Sequence, residues 1–124
     1  MAKLHDMAIY SYLCEVDRVV DGDTVDVNVD MGFYLKQLVR VRLLNVDTPE
    51  RGEYDWKEAT DTLKELIKQG EQVDKRFCLM THKTGKYGRW LGSLWSYDEK
   101  IAINDLMAET WPGGTDSNIE LYDR

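Results

Sequence analysis

Val19-Val20-Asp21-Gly22-Asp23-Thr24-Val25-Asp26-Val27-Asn28-Val29-Asp30 is a stretch in which apolar and polar residues alternate. Val25, Val27 and Val29 fall on one side and Asp26, Asn28 and Asp30 on the other, the period of a strand with one face buried and one solvated. Upstream, Tyr12 to Val20 alternates in the same way, and Asp21-Gly22-Asp23 joins the two runs as a turn in which Asp-Gly is expected to supply positive φ angles. Downstream, Gly32-Phe33 breaks the pattern and a third strand is expected through Leu38-Val39-Arg40-Val41-Arg42-Leu43-Leu44. Three consecutive strands of this kind make a meander.

After Asp47-Thr48-Pro49-Glu50 the period changes. Trp56, Ala59, Leu63, Leu66 and Ile67 recur at helical spacing, with Gly70 where a C-cap is expected. Two further strands are read at Arg76 to Met80 and Trp90 to Ser96. The latter leads through Tyr97-Asp98-Glu99-Lys100 into Ile101-Ala102-Ile103, and a short helix follows from Asn104, its expected N-cap, to Thr110. Three strands, a helix, two strands and a helix in so short a chain predict an α+β domain, mainly β. The architecture expected is a five-stranded OB-fold barrel with one helix between strands 3 and 4 and a short C-terminal helix. The domain is read as single over 1–124, with its core at about 12–110 and a tail at 111–124.

The chain has 124 residues with 16 basic and 23 acidic side chains, a formal net charge of −7. One domain of this size buries enough surface to need no disulfide or structural metal. The acidity argues against a broad basic surface for nucleic acid or anionic lipid, though a basic cleft is compatible with it. No apolar run is long enough to span a bilayer, and Met1 to Tyr10 has no secretory pattern, so a cytoplasmic protein without membrane contact is expected. Cys14 and Cys78 are read as buried free thiols. Zinc is not expected, because Cys78 and His82, with His5 and Cys14, match no standard finger spacing.

Asp21-Gly22-Asp23-Thr24 alone is explained as a turn, and Asp47-Thr48-Pro49-Glu50 alone as a helix start, with Asp or Thr as cap and Pro in the first turn. Together they say more, since both lie at the rim of the meander. Pro49 pushes Thr48 into extended backbone, leaving its carbonyl outside helix bonding. Asp23, Asp47 and that carbonyl are an all-oxygen set of the kind calcium accepts. Arg42 shares a strand face with Arg40 and points toward these acids. Were Arg89 to approach from the opposite side, two guanidinium forks could clamp a phosphate.

These residues resemble the staphylococcal nuclease-like (thermonuclease) family, calcium-dependent nucleases on an OB-fold. The motifs are Val20-Asp21-Gly22-Asp23-Thr24-Val25, Arg42-Leu43-Leu44-Asn45-Val46-Asp47-Thr48-Pro49-Glu50 and Lys86-Tyr87-Gly88-Arg89-Trp90-Leu91-Gly92, with a weaker one at Ile103-Asn104-Asp105-Leu106-Met107. The resemblance implies that Asp23, Asp47 and the Thr48 carbonyl bind Ca2+, with Asp21 behind them, and that Arg42 and Arg89 grip the scissile phosphate. It implies that Glu50 acts on the attacking water, and that Lys86 and Tyr87 line the nucleotide pocket. It further implies hydrolysis of DNA and possibly RNA to 3′-phosphate ends. The acidity left outside the site predicts weak, salt-sensitive substrate binding, and a monomer is expected. The competing expectations are a non-catalytic OB-fold module for nucleic acid or protein, and a scaffold domain with a passive calcium turn.

Overall fold

The computed structural model describes residues 10–84 and 89–111, the side chains of residues 83 and 84 apart. Five strands, β1 (Ser11–Asp21), β2 (Thr24–Gly32), β3 (Leu35–Leu43), β4 (Arg76–Thr84) and β5 (Trp90–Ser96), close into a barrel in the order β1-β2-β3-β5-β4. Helix α1 (Trp56–Val73) separates β3 from β4, and α2 (Ile103–Thr110) follows β5. The α+β barrel expected from the sequence is the one observed. Closure depends on two seams: β1 pairs antiparallel with β4, and β3 pairs parallel with β5 over Val41 to Leu43.

The alternation read in β2 sets which side of the wall is core. Val25 pairs with Val41 and Val27 with Val39, and Val25, Val27, Val29, Val41 and Leu43 are buried beside Phe77, Leu79 and Leu94. The amphipathic stripe of α1 buries Ala59, Leu63 and Ile67 against one end of the barrel, and α2 contributes Ile103 and Met107. The polar row Thr24, Asp26, Asn28 is therefore left on the outer face, opposite Arg42, Arg40 and Leu38 of β3.

Several local expectations are corrected. Gly22 does not have a positive φ; among the described residues the glycines that do are Gly32 and Gly52. A Cβ at Gly22 would lie 2.7 Å from Thr48 Oγ1 and 2.8 Å from the Ala59 Cβ, so close approach and not backbone angle is what requires glycine there. Left-handed backbone appears instead at the β2–β3 hairpin, in Gly32, Phe33 and Tyr34.

Gly70 does not end α1, which continues to Val73. It lies where a Cβ would come within 2.5 Å of the Phe77 ring. Neither Asp47 nor Thr48 caps α1, which begins only at Trp56 after Asp55. Asn104 is not a cap either, being inside α2 behind Ala102, and its amide is used elsewhere. Ile101-Ala102-Ile103 is reduced to one bridge, Trp95 to Ala102. Cys14 is buried, and burial pushes its thiol up to about 12, with the negative potentials of Cys78 and Glu15 adding to the effect. Cys78 is only half-buried, contrary to expectation, and both thiols are free.

Candidate active site

Arg42 projects from the outer face of β3 because Val41 and Leu43, its neighbours, are fully buried. Its cross-strand partner is Thr24, and the Leu43 N–H donates to the Asp23 carbonyl at 2.8 Å, so the β1–β2 turn lies against the end of β3. Arg42 Nη1 is 3.1 Å from Asp23 Oδ2, and Nη2 is 3.7 Å from Asp47 Oδ1. Nη1 also donates to the Val46 carbonyl. The other Asp23 oxygen accepts from the Thr24 hydroxyl at 2.9 Å. Asp23 and Arg42 are nearly buried while Asp47 is open, at 46% side-chain exposure, so this cluster has one closed side and one side a ligand can reach.

The loop after β3 puts Asp47 there. Asn45 takes a left-handed φ of 63°, a conformation Asn tolerates better than most residues. Val46 then turns inward and is completely buried. The Asn104 amide pins the turn from α2: Nδ2 donates to the carbonyls of Leu44 (2.9 Å) and Gly92 (3.0 Å), and Oδ1 accepts from the Leu94 N–H (2.9 Å). Thr48 is buried against Gly22 and Ala59. Three sequence-distant pieces, the acidic turn, the post-β3 loop and the start of α1, thus meet in one place.

Asp21 accepts a hydrogen bond at 3.2 Å from the indole Nε1 of Trp56, the first residue of α1. The Arg51 guanidinium stands 5.2 Å from the centre of the Trp56 ring, within cation–π range. Glu50 is exposed, and its backbone is held by Glu53: the Glu50 N–H donates to Glu53 Oε1 at 2.6 Å, and the Glu53 N–H donates back to the Glu50 carbonyl at 2.9 Å. Trp56 and Glu53 are supports outside the motifs, while Val46 and Asn104 stand within motifs that assign them no role at the site. Only the Glu50–Glu53 spacing, a reciprocal i, i+3 pattern like a capping box, offered a local signal.

Arg89 precedes Trp90, which pairs with Val41, and stands two residues before Leu91, the partner of Arg42. The register therefore brings Arg89 to the strand beside β3. Lys86 and Tyr87 lie outside the described residues. Among the described residues no three of His, Cys, Asp or Glu gather as a metal cluster. The donors present are hard oxygens all the same. Asp23 and Asp47 converge on one cationic group, Arg42, and could hold a divalent cation with the Thr48 carbonyl, water and phosphate completing an oxygen shell.

A closed five-stranded barrel in the order β1-β2-β3-β5-β4, with one helix between β3 and β4, defines an OB-fold protein, and the candidate site is the acid–arginine cluster where β1, β2 and β3 meet at the rim. The profile of the "Staphylococcal nuclease homologue" family matches residues 40–111. This chain belongs to that family. Among curated proteins it is 42% identical over 82 residues to "Protein ParB" of Escherichia coli, covering 65% of this chain and 40% of that protein. It is 34% identical over 92 residues to an "Uncharacterized endonuclease" of Escherichia coli O157:H7 (74% and 53%). It is 36% identical over 83 residues to "Micrococcal nuclease" of Shigella flexneri (66% and 41%). The chain thus spans about half or less of the length of these relatives. Among the described residues no helix is long and apolar enough to cross a membrane.

Proposed function

We propose that this protein is a calcium-dependent nuclease that hydrolyses phosphodiester bonds of DNA, and of RNA, to leave 3′-phosphate ends. The observation that carries the reading is the placement of Arg42 between Asp23 and Asp47, residues from two loops that converge only through the barrel. The nuclease names borne by two of the relatives support the same class of chemistry.

A phosphodiester is anionic and repels nucleophiles, so the site must offset that charge, position a water and stabilise the charge added at phosphorus. Arg42, with Arg89 from the residue just before β5, supplies planar donors for the non-bridging oxygens, whose charge grows in the transition state. Glu50 takes the proton of the attacking water as its oxygen bonds to phosphorus. The bond from phosphorus to the 5′ oxygen breaks, and that oxygen takes up a proton to leave as a hydroxyl. Glu53 holds the Glu50 backbone, and Trp56 holds Asp21 behind the acids. Calcium, carried by Asp23, Asp47 and the Thr48 carbonyl, supplies Lewis-acid polarisation and offsets negative charge when bound. Lys86 and Tyr87 contact the adjoining nucleotide.

The test is cleavage of end-labelled DNA and RNA with calcium and with chelator, with product ends mapped. Expected are calcium-dependent products with 3′-phosphates, and loss of cleavage in Glu50→Gln. Oligonucleotide binding without cleavage at every calcium concentration would establish the binding-module reading instead.

A further inference from the structure

We propose that Arg18 and Arg40, aligned on either side of Asp26, form a second phosphate-binding position that receives the phosphate next to the one held at Arg42. The inference rests on the nuclease reading and extends it to how the polymer lies on the protein. Arg18 pairs with Asp26 across β1–β2, and Asp26 pairs with Arg40 across β2–β3, so the three form one cross-strand row on the outer face of the barrel. The next row on that face is Asp21, Thr24 and Arg42, two residues of β2 and β3 and therefore about 7 Å along the strands. Arg40 also feels the charge of Asp21, which places it within electrostatic reach of the site.

The row is built to keep two guanidiniums in place while leaving them accessible. Arg40 donates from Nε to Asp26 Oδ1 at 2.8 Å and from Nη2 to Oδ2 at 3.1 Å, and Arg18 Nε is 3.3 Å from Oδ2. Asp26 itself is only 8% exposed, so its charge is covered. The arginine side chains are 61% (Arg18) and 49% (Arg40) exposed. Within the row, one carboxylate between two arginines leaves an excess of one positive charge, with Asp21 in the row beside it. Exposed ion pairs contribute little to stability, and one arginine would have neutralised Asp26. Arginines already ordered by a carboxylate lose less freedom on gripping a phosphate, whose oxygens match the guanidinium fork.

The excess is local. In the next row Asn28 lies between Glu15 and Leu38, and beyond it Asp30 faces Lys36, so no positive surplus continues toward the hairpin. On a chain of net charge −7, this row is where a polyanion leaving Arg42 finds its next favourable contact on the β1–β3 face. The structure therefore assigns one added phosphate there, and not a long basic track.

Binding of a short labelled single-stranded DNA is measured by fluorescence anisotropy over a salt series in chelator, and cleavage kinetics are measured separately with calcium. Arg18→Gln and Arg40→Gln should each flatten the plot of log Kd against log salt by about 0.7 for the lost phosphate contact. Each should raise KM about tenfold with kcat unchanged. Asp26→Asn, which keeps both arginines, should retain the parental salt slope even if its thermal midpoint falls. An unchanged slope in folded Arg18→Gln and Arg40→Gln, or a fall in kcat in place of the KM change, would overturn the assignment. Should Arg40→Gln fail to fold, Arg18→Gln, which gives up a single contact with Asp26, decides alone. Flattened slopes in the variants of a parent that never cleaves would sink the nuclease reading and leave this position standing; calcium-dependent cleavage by the parent with unchanged variant slopes would do the reverse. A parent that binds no oligonucleotide overturns both.

Discussion

Arg42 faces two carboxylates and a carbonyl with one guanidinium, which makes it both a structural counter-charge for the nearly buried Asp23 and a donor that reaches the exposed Asp47. Arg42→Ala would remove both roles at once and confuse them, whereas Arg42→Lys keeps the charge and loses the planar fork. We expect Arg42→Lys to fold and to lose about 100-fold in kcat, the lower end for a missing transition-state donor. A kcat within a factor of three of the parent would show that the fork plays no part, since about 0.7 kcal/mol is too little for such a donor. Gly22 is the second residue at which the site and the fold meet. Gly22→Ala drives a methyl into Thr48 and Ala59, and overpacking of this kind costs about 1–3 kcal/mol. Because Thr48 adjoins Asp47, a lowered thermal midpoint should be accompanied by reduced cleavage. The Asp-Gly pair was legible as a turn from sequence, but the reason for glycine was not, because the atoms it must avoid lie more than twenty residues away.

Among the elements, α1 shows how tertiary contact overrides a local signal. Helical periodicity from Trp56 was readable because it depends on residues three and four apart, but Gly70 reads as a stop signal and is instead inside the helix. The buried Phe77 ring fills the space a side chain would take. Gly70→Ala gains about 1 kcal/mol of helix propensity and meets a ring that has nowhere to go, at a cost of about 1–3 kcal/mol. The net outcome expected in denaturant melts is lower stability, and a stabilised variant would mean the ring can move. Strand β3 was found by its alternation, yet its first residues, Leu35 to Gln37, were missed because an exposed hairpin carries no apolar period to read. The convergence of the acidic turn with the post-β3 loop was legible only as two motifs at one rim. Asn104, 60 residues from Leu44, holds that loop through hydrogen bonds, and no local spacing announces such a bond.

For the whole molecule, pH-dependent stability follows from which groups folding perturbs. Burial holds His82 below its usual 6.5, so between its two values the unfolded chain binds more protons. The stabilisation is full above about 6.5 and is lost as pH falls toward the folded value. Asp26 is held low mainly by its hydrogen bond from Arg40, Asp98 by one from Ser96, and Asp74 is lowered to about 2 by Arg76. Their contributions are present above the ordinary aspartate range and disappear as pH drops through the lowered values. Thermal midpoints should therefore decline in two stages on acidification, and His82→Gln should abolish the upper stage while leaving the lower. An upper stage that survives the substitution would refute the assignment to His82. The sequence by itself determined the order of elements, the inward faces of β2 and β3 and the identity of the acid and arginine candidates, because alternation, helical period and short motifs are local properties. Only the tertiary structure decided that Arg42 joins Asp23 to Asp47, that Trp56 holds Asp21, and that Arg18, Asp26 and Arg40 form one row. Those relations exist only once the pairing of β1, β2 and β3, the docking of α1 and the turn at Asn45 bring distant residues within a few ångströms, where the short reach of hydrogen bonds and ion pairs can act.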